Sequence, residues 1–231
     1  MMPPAALTLI HTSPVLTPLF TTLCRENLPG VAITHMVDES LIRDTIAHGA
    51  LRRLTIRRLI SMIESAEAAG ANAVLVTCSS IGPGVDLAKA LFDMPVLRVD
   101  EAMAERAVIL GRRIGVAATL STTLAPTVEL IRRKAAEAGR SVQIEEGLCT
   151  GAFDAVLAGD TVTHDRLLSA MLLELASCVD VIVLAQASMA RVVEALPPDP
   201  ARPPIVASPQ LGVLRAKQVL DEMGRGTGSV A

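Results

Sequence analysis

The 231-residue chain contains no tryptophan, no tyrosine and only three phenylalanines. Aromatic side chains are the surfaces on which proteins stack nucleic-acid bases, so such a stacking platform is missing. The net charge of −3 comes from interspersed acidic and basic residues, and no basic block could neutralise a row of phosphates. We therefore expect no nucleic-acid partner.

The four cysteines are widely spaced and include no C-x-x-C pair, which argues against a zinc knuckle and gives no support to a disulfide framework. The sequence also lacks a compact His/carboxylate cluster, a G-x-G-x-x-G turn after a strand and a Walker lysine. We therefore expect a reducing, cytoplasmic location, with no metal and no nucleotide cofactor.

No long uninterrupted apolar run is present, and we therefore expect no membrane span. The first 24 residues carry no charged side chain, but four prolines interrupt them and no Lys or Arg stands at their start. This composition favours a strand, a loop and a helix start over an export signal.

Short apolar runs alternate with longer helical patterns, which is typical of a parallel α/β sheet. The runs that predict strands begin at Leu7, Val31, Ala73, Pro95, Ile114, Ser141, Val181 and Pro204. Residues 51–70 show the period of an amphipathic helix, and a second helix is expected from Pro126 to Gly139.

Two pairs of predicted strand ends recur at nearly constant separation. Thr12 and Cys78 are 66 positions apart, and Thr119 and Gln186 are 67 apart. This favours two similar half-domains, with an accidental match of common α/β units as the alternative. We place the first half-domain at residues 1–97 with 205–223, the second at 98–204, and a flexible tail at 224–231.

The predicted fold is therefore α/β, with two pseudo-symmetric Rossmann-like half-domains, each a mostly parallel sheet flanked by helices, and an active-site cleft between them. Ligands of parallel sheets bind beyond the carboxyl ends of the strands. Hydroxyls and amides dominate the four segments expected there, and none holds Arg or Lys: 11–14, 77–80, 119–123 and 186–188. Neutral donors and helix dipoles of this kind suit a carboxylate.

Cys78 is the one strong nucleophile or base at these strand ends. A helix N-terminus can lower the pKa of a thiol, while a buried, inert cysteine is the alternative. His11 is a candidate polar group in the same cleft, and His164 is expected to be exposed or behind the site. The other three cysteines are expected to pack in the core: Cys24, Cys149 and Cys178.

Five segments together resemble the aspartate/glutamate/hydantoin racemase superfamily, to which arylmalonate decarboxylase and maleate isomerase also belong: IHTSPVLTPLF, VDESLIRD, VLVTCSSIGP, IGVAATLSTTLAPT and VIVLAQASMARV. The resemblance covers the chain apart from its tail. It implies two pseudo-symmetric halves with the substrate between them, and cofactor-independent chemistry at the carbon next to a carboxylate. In the superfamily's racemases, one cysteine from each half flanks that carbon.

By this resemblance Cys78 matches the cysteine of the first half, whereas Gln186 stands in the place of the second. A carboxamide is neither acid nor base at working pH, so the pattern departs from two-cysteine racemisation and indicates a single-cysteine member. Arylmalonate decarboxylase also has one cysteine, but in its second half. The residues expected to bind the substrate are His11, Thr12, Ser13, Thr77, Ser79, Ser80, Thr119, Thr122, Gln186 and Ser188.

We therefore expect a cofactor-independent isomerase or racemase-type enzyme that acts next to a carboxylate of a small organic or amino acid through Cys78. Three alternatives stay open: a decarboxylase or lyase with one proton transfer, a racemase with His11 as second base, and a non-catalytic protein that binds small carboxylates. In a further reading Cys78 is core, and the segments VDES or THDR recognise the ligand. Family and apolar content favour a homo-oligomer.

Overall fold

The structure is a computed structural model that describes residues 5–227. The chain divides into two compact units: the first runs up to Val99 and resumes at Pro209, and the second is Asp100–Ser208. Within the described residues, no helix is both long and apolar enough to cross a membrane.

The first unit holds a four-stranded, all-parallel sheet in the order β2-β1-β3-β4. Its strands are β1 (Ala6–His11), β2 (Ala32–Val37), β3 (Ala73–Val76) and β4 (Val96–Arg98). Its helices are α1 (Thr17–Asn27), α2 (Glu39–His48), α3 (Arg53–Ala68), α4 (Gly82–Ala88) and α10 (Ser208–Thr227).

The second unit repeats this arrangement with the parallel order β6-β5-β7-β8. Its strands are β5 (Arg113–Ala118), β6 (Gln143–Leu148), β7 (Val181–Leu184) and β8 (Ile205–Ala207). Its helices are α5 (Glu101–Leu110), α6 (Ser121–Glu137), α7 (Ala152–Leu157), α8 (Thr161–Ala176) and α9 (Ala190–Glu194). The predicted class, two α/β halves with parallel sheets, is confirmed.

The two sheets are also alike at the amino ends of their strands. Asn72 Oδ1 accepts a hydrogen bond from the backbone N–H of Ala6 at 2.7 Å. Asp180 Oδ2 accepts one from the backbone N–H of Arg113 at 2.8 Å. In both units, the residue just before the third strand thus holds the start of the first strand by a side-chain hydrogen bond. An accidental match of common α/β units would not require this shared detail.

The central strands carry the core. Every residue of β3 and β7 is buried, as expected for strands covered on both faces, whereas the edge strands β2 and β6 have exposed positions. The residues that follow β1, β3, β5 and β7 are therefore anchored to strands that are packed tightly in the core.

The expected domain limits need two corrections. Ile205–Ala207 does not belong to the first half, because β8 pairs in parallel with β7 and takes its hydrogen-bond partners there. Only α10 returns to the first unit, where Val213 and Leu220 pack in its core. This helix continues to Thr227, so residues 224–227 of the expected tail are helical, and residues 228–231 lie outside the described part of the chain.

Helix α6 also begins earlier than expected, at Ser121 instead of Pro126. Proline is favoured in a first turn, which placed the predicted start at Pro126. Here the backbone N–H groups of Thr123 and Leu124 already bond to the carbonyl of Leu120, so the helix is established before the proline.

Gly82 opens α4 against a buried charge. A Cβ atom at position 82 would lie 2.5 Å from Arg98 Cζ. Arg98 is 2 % exposed, and its Nη1 lies 2.5 Å from Asp86 Oδ2. Because this ion pair holds the guanidinium, the arginine cannot swing away freely, and glycine provides the space.

We predict that Gly82→Ala lowers the free energy of unfolding by about 1–3 kcal/mol, as overpacking does in a filled core. Urea unfolding measures the change. Gly224→Ala is the matched control, because no atom lies within 4 Å of an added Cβ there. Equal stability of the two variants would show that Arg98 yields without cost.

Candidate active site

Cys78 stands where the chain leaves a central strand and turns into a helix. Its backbone is extended, with φ −124° and ψ 116°, and it directly precedes a 3-10 turn, Ser79–Ile81, that leads into α4. A residue at such a cap position lies beside backbone N–H groups that have no partner within the helix. The position of Cys78 before this turn thus places its sulfur near backbone hydrogen-bond donors.

Hydrogen bonds from four groups favour the thiolate form of Cys78: the hydroxyls of Thr12 and Ser80, and the backbone N–H groups of Ser80 and Ile81. Burial acts in the opposite direction and outweighs them, so the pKa of the Cys78 thiol is raised above its ordinary value. Cys78 is nevertheless only half-buried. The thiol of this half-buried residue therefore carries its proton at neutral pH.

The second unit builds the same corner around a carboxamide. Gln186 has φ −124° and ψ 133° and precedes a 3-10 turn, Ala187–Met189. Its Oε1 accepts hydrogen bonds from the backbone N–H of Thr119 at 2.6 Å and from Thr119 Oγ1 at 2.9 Å. Because a backbone N–H can only donate, the oxygen must face Thr119 and the two N–H donors of Nε2 point away.

Cys78 and Gln186 are therefore structural equivalents. In each unit, the threonine after the first strand donates a hydrogen bond to the residue that caps the turn after the third strand. Thr12 serves Cys78, and Thr119 serves Gln186. One of the two equivalent corners carries an ionisable group and the other does not.

His11 differs from its expected placement. It has no exposed surface, so it cannot contact a ligand, and the expectation that it binds substrate is corrected. Its Nδ1 lies 2.8 Å from Thr77 Oγ1 and its Nε2 lies 2.9 Å from Nδ1 of His35, with Phe20 packed against the ring. Burial, and next the charge of His35, lower the pKa of His11 to about 4.

His35 was missed by the sequence analysis as the partner of His11. The only signal is that both histidines fall near the ends of strands that pair side by side, which requires knowledge of the register. Thr77 is buried as well, and its hydroxyl is engaged by His11 and by the carbonyl of Ile10 at 3.2 Å.

The other nine candidate residues fall into three groups by exposure. Six are buried, with Ser13 and Gln186 half-buried and Ser188 exposed: Thr12, Thr77, Ser79, Ser80, Thr119 and Thr122. Within the described chain, the buried Oγ1 of Thr122 has no hydrogen-bond partner. No group of three or more metal-binding side chains occurs among residues 5–227.

The segments VDES and THDR are occupied by internal contacts. Asp38 caps α2 by accepting from the backbone N–H of Ser40 at 3.0 Å and also pairs with Arg58. His164 is buried, so the expected exposed position is wrong and the alternative place behind the site stays a prediction. Its Nδ1 contacts Asp165, which Arg191 binds through two nitrogens. These contacts give both segments structural roles.

The remaining cysteines divide differently from the prediction. Cys24 and Cys149 are buried, as expected. Cys178 is exposed, because α8 ends at Ala176 and the cysteine lies in the following turn, so its expected core position is wrong.

We predict that stability falls as the pH drops from 6.5 toward 4, the ordinary and folded-state pKa values of His11. In that window the unfolded chain binds a proton that folded His11 excludes, so this contribution, about 3 kcal/mol, is complete above the window and lost through it. Urea unfolding across the window measures the slope, and His11→Asn should reduce it. His48→Gln, at an exposed histidine, should leave the slope unchanged; the same slope in His11→Asn would contradict the prediction.

The family model described as Asp/Glu/Hydantoin racemase matches residues 10–216. Comparison with curated protein sequences finds no match.

Several solved racemases share the fold at low sequence identity. Glutamate racemase isoform RacE1 from Bacillus anthracis aligns with a TM-score of 0.75 and 15% identity, over 96% of this chain and 84% of that one. Allantoin racemase from Klebsiella pneumoniae gives 0.67 and 16%, over 94% and 88%. Aspartate racemase from Picrophilus torridus gives 0.68 and 12%, over 94% of each chain. With the family model matching most of its length, the chain belongs to the Asp/Glu/Hydantoin racemase family and is an enzyme of the racemase type.

Proposed function

We propose that the protein is a cofactor-independent enzyme of the isomerase/racemase type that acts at the carbon next to a carboxylate of a small organic or amino acid, with Cys78 as its catalytic residue. The observation that carries this proposal is the thiol of the half-buried Cys78 at the end of a central strand, where hydroxyl and backbone N–H groups donate hydrogen bonds to it. Family membership supports the reaction class.

Cys78 can act as an acid, starting the reaction as a thiol, or as a base, starting as a thiolate and becoming a thiol when it takes up a proton. When the thiol gives its proton to a carbanion, the donors from Thr12, Ser80 and Ile81 stabilise the thiolate that remains. When the thiolate instead removes a proton from the carbon next to a carboxylate, its raised pKa makes it a stronger base. The neutral donors at this corner suit the oxyanion of the resulting enediolate.

Gln186 limits what the chemistry can be. Its carboxamide supplies no second acid or base, so two thiols cannot exchange protons on opposite faces of one carbon. A single cysteine can remove a proton from one carbon and return it to another in an isomerisation, or complete a reaction that needs one proton transfer.

A second candidate function is a decarboxylase or lyase, favoured by the protonated resting thiol together with Gln186. In a decarboxylation, the C–C bond to the carboxylate breaks, carbon dioxide leaves, and the electron pair remains on carbon. The Cys78 thiol then gives its proton to that carbon, and the thiolate takes a proton from water before the next turnover. One acid suffices for this sequence.

The remaining candidate residues stay proposed on the resemblance: Ser13, Ser79, Thr119, Thr122, Gln186 and Ser188 as groups that bind substrate. We likewise propose a small carboxylate as the partner, a homo-oligomer as the assembly and the cytoplasm as the location.

We predict that Cys78→Ala lowers turnover by about 10²–10⁴-fold, the range for loss of a positioned acid or base. The assay offers a panel of amino acids, 2-substituted malonates and small dicarboxylates in D₂O. Proton NMR then detects deuterium exchange at the carbon next to the carboxylate, and a separate assay detects released carbon dioxide. Exchange without carbon dioxide supports the isomerase, and carbon dioxide release supports the decarboxylase.

Cys178→Ala is the matched control, because it removes an exposed thiol from the other unit and should retain full activity. Wild-type turnover by Cys78→Ala would overturn the proposal. Tight binding of a carboxylate by the wild-type protein, with neither exchange nor carbon dioxide, would instead identify a binding protein.

A further inference from the structure

The ends of β1 and β3 are joined by side chains twice in succession. His11 contacts Thr77 through Nδ1 and Oγ1 at 2.8 Å, and the next residue on each strand makes the second contact, from the Thr12 hydroxyl to the Cys78 sulfur. The hydrogen bond between Thr12 and Cys78 is thus directly preceded, on both strands, by the buried hydrogen bond between His11 and Thr77.

These two contacts have different surroundings. Successive side chains of an extended strand point to opposite faces, so the His11–Thr77 contact does not share a face with the Thr12–Cys78 contact. His11 is fully buried and Thr77 is 3 % exposed. Neither can touch a substrate, and any effect on the sulfur must pass through the backbone of the two strands.

The second unit shows that the fold does not require this polar contact. Its residues before Thr119 and Gln186 are Ala118 and Ala185, both buried. Two alanines therefore suffice to pack the same strand ends where the chemistry is a carboxamide. A histidine and a threonine stand there only in the unit that carries the thiol.

The buried His11 ring is also held by His35 on the side opposite Thr77. His35 Nδ1 lies 2.9 Å from His11 Nε2, and His35 Nε2 lies 3.1 Å from Thr21 Oγ1. Both nitrogens of His11 are engaged, so its ring cannot rotate without breaking a contact. Burying so many polar groups costs free energy unless each is bonded, and this network bonds them.

We infer that His11 and Thr77 form a clamp, the His11–Thr77 clamp, that holds the Thr12 hydroxyl in hydrogen-bond contact with the Cys78 sulfur. His11 is thus a positioning residue, which acts through Thr77 and touches neither sulfur nor substrate. This inference deepens the proposed function, because its purpose is the reactivity of Cys78. Among the described contacts of His11, the titratable side chain that touches it is His35.

The test measures the thiol itself, without a substrate. Alkylation by iodoacetamide is followed across neutral and alkaline pH on the peptide that contains Cys78, by mass spectrometry, so that the exposed Cys178 does not interfere. Thr12→Val should raise the midpoint pH by about one unit, the equivalent of one lost hydrogen bond to a charged group. Thr77→Val, which keeps the shape of the side chain, should raise it in the same direction.

Three further variants separate positioning from general damage. Thr77→Ser keeps the hydroxyl and should restore the wild-type midpoint. Combining Thr12→Val with Thr77→Val should shift it no further than Thr12→Val alone, because both act on one hydrogen bond. Thr127→Val removes a buried hydroxyl of the other unit, which donates to the carbonyl of Thr123, and should leave the midpoint unchanged.

The double variant H11A/T77A reproduces the alanine pair of the second unit and should match Thr77→Val. Circular dichroism melting checks that each variant is folded at the assay temperature. An unshifted midpoint in folded Thr77→Val and H11A/T77A would overturn the inference. Because alkylation needs no turnover, this result is independent of whether Cys78→Ala abolishes activity.

Discussion

The parallel pairing of β1 with β3 is the constraint on which the rest of the first unit depends. Their register brings Ile10 beside Val76, and the chain beyond each strand then delivers Thr12 and Cys78 to adjacent positions. Both strands are buried on both faces, so a shift by one residue would put a side chain of different shape into every packed position. The sulfur inherits its position from this packing.

Burial and hydrogen bonding oppose each other at Cys78. Desolvation disfavours a thiolate, while hydroxyl and backbone donors favour it, and desolvation is the larger effect. The outcome is a proton-bearing sulfur that has its thiolate-stabilising groups already in place. Such a group can release a proton and survive as an anion without rearranging its surroundings.

Much of this arrangement could be predicted from the sequence. The apolar runs predicted all eight strands. The nearly equal spacing of Thr12 to Cys78 and of Thr119 to Gln186 predicted the equivalence that the hydrogen bonds show. The depth of His11 could not be predicted, because a histidine at a strand end can point into the protein or out of it. Its partner depends on the β1–β2 register, which no local pattern encodes. The assignment of β8 failed for a similar reason, since a short strand carries no mark of which sheet it will join.

The closing helix has a consequence for biosynthesis. Helix α10 contributes Val213, Ala216 and Leu220 to the core that contains Leu7 and Leu9. A ribosome must therefore translate the entire second unit before the first can complete its interior, and domains synthesised as continuous segments fold as they emerge. The unit with the carboxamide can fold on the nascent chain, while the unit with the thiol waits until α10 has emerged from the ribosome.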